Sequence, residues 1–545
     1  METDRSFPLP EILATLVLLA SPAAAQATLF EVSGPIGHSF GHICDLVGDT
    51  DGDGLGEFLV AAPAADSGPL SQAGSLLLYS GADGGLLQRF QGSGAGDRLG
   101  TYSSAAGDLD GDGLADLLIG VARDNVPGIG IDAGTVEIVS GLGARTLHTL
   151  HGLAAQEFLG RFSAPLPDQD GDGRSDFLAM GGRSYRVFSG RDGSLLRQIP
   201  ATGSVFAVAR DVNGDGLADF AELVESGGIQ GSFVRVVSGA DGTQLWQRDA
   251  GLSGASIAFV PDADGDGLDE LVLGTPLMNT MAGRVRLHAG RDGTLLHEAF
   301  GDEPGDRLGD SVTGAGDLDG DGYGDFAAGM TGFDGAAGLD VGAVRAFSGR
   351  TGAPIGTIAG DRAGMGLGAR LGGGRDVDGD GIPEVVASAI PAPSSVMPTA
   401  WVRVLSFVPR GLEPFGTGSP GCLGSSTLLA NGVPTLGNAG FALHAANVGS
   451  APLLLIGDVE DSAGTSYLGA LFHLVPSPPP PALGLVHLRP LPAPDARGSV
   501  VAPFPVPSST ALLGQTYVFQ VASLFPSGPC AQRLATSRGL RVTFQ

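Results

Sequence analysis

The sequence predicts an all-β protein: a seven-bladed β-propeller followed by a C-terminal β-sandwich. Three observations predict it. An acidic, glycine-punctuated stretch recurs seven times, starting at Asp49, Asp108, Asp168, Asp211, Asp262, Asp317 and Asp376. The starts lie 59, 60, 43, 51, 55 and 59 residues apart, a period in the range of solenoids and propellers. Each period holds four short apolar segments separated by turn residues, the strand count of one propeller blade. The 91 glycines agree, favouring tight turns over long helices.

Each unit opens on a short apolar lead, often ending in Leu-Gly or Phe-Gly. Examples are "HSFG" at His38, "DRLG" at Asp97 and Asp306, "EFLG" at Glu157 and "MGLG" at Met365. The acidic loop follows, then an apolar second strand such as "EFLVAAP" from Glu57 or "ELVLGTP" from Glu270. A loop of variable length leads to a third strand ending in Ser-Gly or a near relative, as in "VEIVSG" and "YRVFSGRDG". A fourth strand such as "LLQRFQG" completes the unit. The seventh unit stops at "WVRVLSF" (Trp401 to Phe407) without a fourth strand, and "ATLFEVSG" (Ala27 to Gly34) is a fourth strand without a unit. This segment is expected to complete blade 7 and close the ring, removing its open edges.

The acidic loops place oxygen donors at positions 1, 3, 5 and 9, with a main-chain carbonyl at 7. That set suits a hard cation that takes six to eight oxygens, and so calcium rather than magnesium. The expected side-chain donors of the first three loops are Asp49, Asp51, Asp53 and Glu57; Asp108, Asp110, Asp112 and Asp116; Asp168, Asp170, Asp172 and Asp176. In the fourth and fifth they are Asp211, Asn213, Asp215 and Asp219; Asp262, Asp264, Asp266 and Glu270. In the last two they are Asp317, Asp319, Asp321 and Asp325; Asp376, Asp378, Asp380 and Glu384. Leu55, Leu114, Arg174, Leu217, Leu268, Tyr323 and Ile382 would each give a carbonyl. Glycine at position 6 permits the sharp turn. An EF-hand is excluded, because position 12 is Val60, Ile119 or Ala179 in the first three copies and lies inside a strand. Up to seven Ca²⁺ would offset about half of the formal net charge of −29. The expected role of the ion is structural, tying the first two strands of a blade.

Phe40-Gly41 ahead of Asp49-Thr50-Asp51-Gly52-Asp53-Gly54, with Ala62-Pro63 behind, resembles the FG-GAP repeat of integrin alpha-chain propellers and of exported bacterial proteins with similar repeats. The resemblance covers Ala27 to about Phe407. It implies a seven-bladed propeller with calcium in the hairpin between the first two strands of a blade, and a role in adhesion or ligand binding. Two features depart from it. Blades 4 and 5 lack the Phe-Gly lead, and every loop here is competent, whereas integrins fill only some. There is also no Asp-x-Ser-x-Ser run for an inserted adhesion domain.

A ligand is expected on the loops between second and third strands, opposite the acidic hairpins, because binding residues favour loops on rigid scaffolds. Residues 61–74, 120–134, 329–342 and 387–400 form the long loops of blades 1, 2, 6 and 7, which are consecutive round a closed ring. Arg123, Asp124, Asn125, Phe333 and Asp334 are the candidate ligand-binding residues. The charge argues against nucleic acid and anionic membranes as partners. All 30 basic residues are arginine, so lysine chemistry is excluded. No catalytic motif is found, and His148 and His151, three apart on a strand, fall on opposite faces.

Ile12 to Ala20 is an apolar core of nine residues, followed by "SPAAAQA", which reads as an export signal over residues 1–27. No later stretch is long and apolar enough for a transmembrane helix. The propeller is expected over 28–410 and a sandwich over 411–545, where "APLLLIG", "YLGALFHLV" and "TYVFQVASLF" read as strands. Its last residues, "ATSRGLRVTF", resemble C-terminal modules of exported bacterial proteins. Cys422 and Cys530 bracket this region and could pair, while Cys44 reads as a small buried hydrophobe. The sequence thus points to an exported, monomeric calcium propeller for adhesion, with an extracellular protein or glycan as partner. The rival readings are a polysaccharide lyase or hydrolase on the same scaffold, and a purely structural surface component.

Overall fold

The computed structural model describes residues 27–141, 145–225, 231–251, 254–379, 381–391 and 399–407, and the backbone of strands between Leu412 and Thr543. The proposed export signal, residues 1–26 in particular, lies outside the described residues. Seven antiparallel four-stranded sheets form the blades. Blade 1 runs Cys44–Val47, Glu57–Ala62, Ser75–Tyr79, Leu86–Gln91, each strand beside the next. Blades 2 to 6 repeat that order. The first strand of each blade touches that of the next, and blade 7's touches blade 1's, so the ring is closed. Helix is confined, among the described residues, to a 3₁₀ turn at Ile36–His38 and one turn at Met278–Met281.

Among the described residues the core is divided into seven parts, each between two neighbouring blades. Leu117 and Ile119 pack toward Leu59 and Leu76 of blade 1, while Leu118 packs toward Phe177 and Ala179 of blade 3. The strand Asp116–Val121 is therefore buried on both faces along its whole length. This explains why second strands read as continuous apolar runs without a period of two. Each leucine buried in this way contributes about 1.5–3 kcal/mol. The outer strand Leu86–Gln91 covers nothing further and is mostly exposed.

The Leu-Gly leads step the chain from the outer strand of one blade to the inner strand of the next. Leu159 fills the space between blades 2 and 3 with none of its surface exposed. Gly160 follows with φ +86° and lies so close to blade 2 that a Cβ would stand 2.7 Å from the Thr135 carbonyl oxygen. Only glycine satisfies both conditions.

Blade 7 is Leu367–Arg375, Glu384–Ala389, Thr399–Ser406 and, outermost, the N-terminal strand Ala27–Pro35. In that last pairing Glu31 stands opposite Arg403. Glu31 and Arg403 are 4% and 3% exposed. Arg403 Nε donates to Glu31 Oε2 at 2.7 Å, and Arg362 Nη2 donates to Oε1 at 3.0 Å. Arg362 also lies 4.9 Å from the ring centroid of Trp401. A charge clasp thus joins the first strand of the chain to the last blade.

The C-terminal strands are also antiparallel. One sheet orders Leu412–Phe415, Gly539–Thr543, Thr516–Leu524, Ser450–Gly457 and His487–Pro490, with Leu534–Thr536 beside Thr516–Leu524. A second joins Thr427–Ala430, Ala442–Ala446 and Val500–Pro503. "YLGALFHLV", read from sequence as one strand, is divided: Glu460–Tyr467 pairs back on Ala470–Leu474. The side chains of this region, with Cys422 and Cys530, lie outside the described residues. Cys44 is a buried free thiol.

Candidate metal centres

All seven acidic stretches lie between the first and second strands of a blade. Within each, the first aspartate organises the turn. Asp108 Oδ1 accepts from Gly111 N at 2.6 Å and its Oδ2 from Gly113 N at 2.9 Å. Gly111 and Gly113 have φ of 80° and 90°, so both amides turn inward only because no side chain opposes it. Asp110 and Asp112 accept amides two residues on, at 3.1 and 2.9 Å. Asp49 holds Gly52 N and Gly54 N in the same way.

The ninth residue closes the site from beneath. Glu57, Asp116, Asp176, Asp219, Glu270, Asp325 and Glu384 all have 0% exposure. One oxygen of each accepts the amide of the second residue of its own loop. The donors include Thr50 N (2.5 Å) and Leu109 N (2.7 Å) in blades 1 and 2. They continue with Gln169 N (2.6 Å), Val212 N (2.9 Å) and Ala263 N in blades 3 to 5. Leu318 N (2.7 Å) and Val377 N (2.9 Å) serve blades 6 and 7.

The second oxygen separates the loops. In Asp116, Asp176, Asp219 and Asp325 it accepts the amides of Gly141, Gly190, Gly239 and Gly349 at 3.2, 2.9, 2.9 and 2.9 Å. These are the glycines of the Ser-Gly signature after the third strand. Sequence reasoning used that signature only to mark the end of a strand; its recurrence after the third strands of blades 1, 2, 3, 4 and 6 was the available signal. In Glu57 and Glu270 the second oxygen, Oε1, is buried without a hydrogen-bond partner.

One carboxylate oxygen from each of Asp49, Asp51, Asp53 and Glu57 lies within 4.8 Å of the others. The same holds for Asp108, Asp110 and Asp116, for Asp168, Asp170 and Asp176, for Asp262, Asp264 and Glu270, and for Asp317, Asp319 and Asp325. In the fourth loop Asn213 Nδ2 points at Asp215 Oδ2, 3.1 Å away. Asp380 of the seventh lies outside the described residues. Burial pushes the closing carboxyls up: Glu57 to about 7, Glu270 to about 8, Asp116 and Asp219 to about 6. Neighbouring aspartates add to the rise in each case. The surface arginines reach only the outer donors, as in Arg145 on Asp110 at 2.7 Å. The donor set is all oxygen, crowded and short of positive charge, and two buried oxygens await a partner. These residues fit a hard divalent cation.

At the other end of the blades, the long loops of blades 1, 2 and 6 share one internal structure. Asp66, Asn125 and Asp334 each accept a main-chain amide of their own loop, from Gln72, Asp132 and Asp340 at 2.9, 3.0 and 2.9 Å. Asp124 accepts from Thr135 Oγ1, and Phe333 packs against the core between blades 5 and 6. Arg123 is exposed. Of the five candidate ligand residues, then, Asp124, Asn125 and Asp334 brace their loops. Residues 392–398 of blade 7's long loop lie outside the described residues. His148 bonds to Gly190 O of blade 3 and His151 to Thr135 of its own blade, so the two form no common site.

No family model matches the chain. Integrin alpha-5 of Xenopus laevis is 31% identical over 200 residues, 32% of this chain and 18% of that protein. The matched part of the chain spans less than a fifth of that relative's length. A solved structure, BBS1N in complex with ARL6DN, soaked with lead, shares 10% identity at a TM-score of 0.46. The match covers 71% of this chain and 98% of that one. No helix among the described residues is long and apolar enough to cross a membrane.

Proposed function

We propose, from the premise that this chain carries an integrin alpha N-terminal-like FG-GAP propeller, that it is an exported, calcium-braced ligand-binding scaffold. The observation that carries the calcium part is the closing carboxylate. Seven buried acids face their loops with backbone amides as partners, and none has an arginine among the described ion pairs. Asp108, Asp110, Asp112 and Asp116, with the carbonyl of Leu114, would hold the ion in blade 2, and the equivalent residues would hold it elsewhere. When bound, calcium supplies the missing positive charge. The chain's own residues orient the oxygens, close the hairpin and tie it to the buried second strand.

The ligand side rests on the opposite loops. Those of blades 1, 2 and 6 are long, exposed at their tips and braced from within, which suits presentation of a surface at low ordering cost. An extracellular protein or glycan is the class of partner. The test is a binding screen against extracellular glycans and proteins, in calcium and in chelator. Capture that is lost in chelator and weakened by Arg123→Ala supports the reading. Turnover of a polysaccharide, or capture unchanged by substitutions throughout the long loops, overturns it.

A further inference from the structure

The seven hairpins look alike in sequence but differ in how the last carboxylate is satisfied. An aspartate at position 9 sits where both oxygens find amides, one in its own loop and one on the Ser-Gly turn of the neighbouring hairpin. A glutamate is one methylene longer. Glu57 Oε2 still takes Thr50 N, and Glu270 Oε2 still takes Ala263 N, but Oε1 of each is buried with no hydrogen-bond partner. A buried carboxylate oxygen without a partner is costly, and a bound cation removes that cost. Around Glu57 four carboxylates gather, against three around each of Asp116, Asp176, Glu270 and Asp325.

We infer that residue 9 sorts the hairpins of blades 1 to 6 into two classes of calcium site, and that Glu57 and Glu270 make those of blades 1 and 5 the tight class. The inference rests on calcium being the ion of these loops. In the aspartate class the ion-free hairpin keeps both oxygens hydrogen-bonded, so it tolerates an empty site and gains less on binding. In the glutamate class the ion-free hairpin is left with an unsatisfied oxygen, and binding relieves it. As calcium falls, the aspartate-closed loops of blades 2, 3, 4 and 6 therefore empty first, and blades 1 and 5 remain braced.

The experiment is equilibrium dialysis of the full chain against ⁴⁵Ca²⁺ over a range of free calcium, with bound ions counted per chain. The expected result is two classes separated by about tenfold or more in dissociation constant, consistent with tuning by donor charge and number. The double variant Glu57→Gln/Glu270→Gln is expected to lose two ions from the tight class, whereas Asp176→Asn is expected to lose one from the weak class. Should the double glutamine variant fail to give the β circular dichroism of the parent, Glu57→Asp/Glu270→Asp keeps the charge and is expected to move two ions from the tight class to the weak. One class of equal sites, or a tight class untouched by both double variants, overturns the inference and leaves calcium in place. No calcium bound by the parent chain overturns the calcium reading itself.

Discussion

Buried carboxylates occur in two regions of this ring and are neutralised in different ways. Away from the acidic hairpins, Glu31 meets Arg403, Glu157 meets Arg186, and Glu222 meets Arg235 at 2.7 Å. In the hairpins, Glu57, Asp116 and Glu270 are buried as deeply, and their partners are amides and other acids. The first region carries its own counter-charge in the sequence. On the calcium proposal, the second takes it from solution. The calcium proposal thus divides the ring into a self-sufficient region and one that depends on an ion.

The largest expected effect breaks the self-sufficient side. Glu31→Ala leaves Arg403 buried with Asp361, 2.7 Å away, as its remaining partner, so the loss falls below the about 3–5 kcal/mol of a buried charge left alone and stays the largest of the set. Because Glu31 also joins the first strand to the last blade, the unfolding midpoint should fall by the same amount with and without calcium. A fall that calcium removes would erase the distinction between the two regions.

A smaller effect sharpens the comparison from the basic side. His288 is 3% exposed, its Nδ1–H donates to Gly293 O at 3.0 Å, and its Nε2 has no partner. Burial, followed by nearby arginines, lowers its pKa from 6.5 to about 4. The fold therefore binds this proton less readily than the unfolded chain. Its contribution to stability is full above pH 6.5 and is lost as the pH falls toward 4. In chelator, where release of the ion plays no part, His288→Gln should flatten the decline over that window. A decline of unchanged slope would show that His288 does not contribute to it.

The smallest effects belong to the long loops. Asn125→Ala and Asp334→Ala each remove one hydrogen bond to a loop amide, worth about 0.5–1.5 kcal/mol. Both should be indifferent to calcium when measured by denaturant midpoint. A larger, calcium-dependent loss would mean that the two ends of the blades are coupled.

Much of the fold was legible in the sequence because each blade repeats one pattern of charge and turn. The acidic stretches gave the blade count and the position of the hairpins. The continuous apolar runs after them, Leu117-Leu118-Ile119 for example, are what a strand covered on both faces must have. Less legible was what satisfies each buried oxygen, since that depends on which amides the ring brings alongside. Gly141 completes Asp116 from 25 residues away. Nor did the sequence separate glutamate from aspartate at position 9, because both supply a carboxylate and only the packed hairpin registers the extra methylene. The long loops of blades 1, 2 and 6 lie between second and third strands as read, but Asn125 and Asp334 turned out to spend their oxygens on their own backbone. Polar residues in a loop are as often its braces as its contacts.

The claim that one region of this ring borrows its counter-charge is tested most directly by thermal unfolding of the full chain in millimolar calcium and in EDTA. The account predicts a clearly higher midpoint in calcium, with the difference reduced when Glu57 and Glu270 are both replaced by glutamine. Equal midpoints in the two buffers would contradict it.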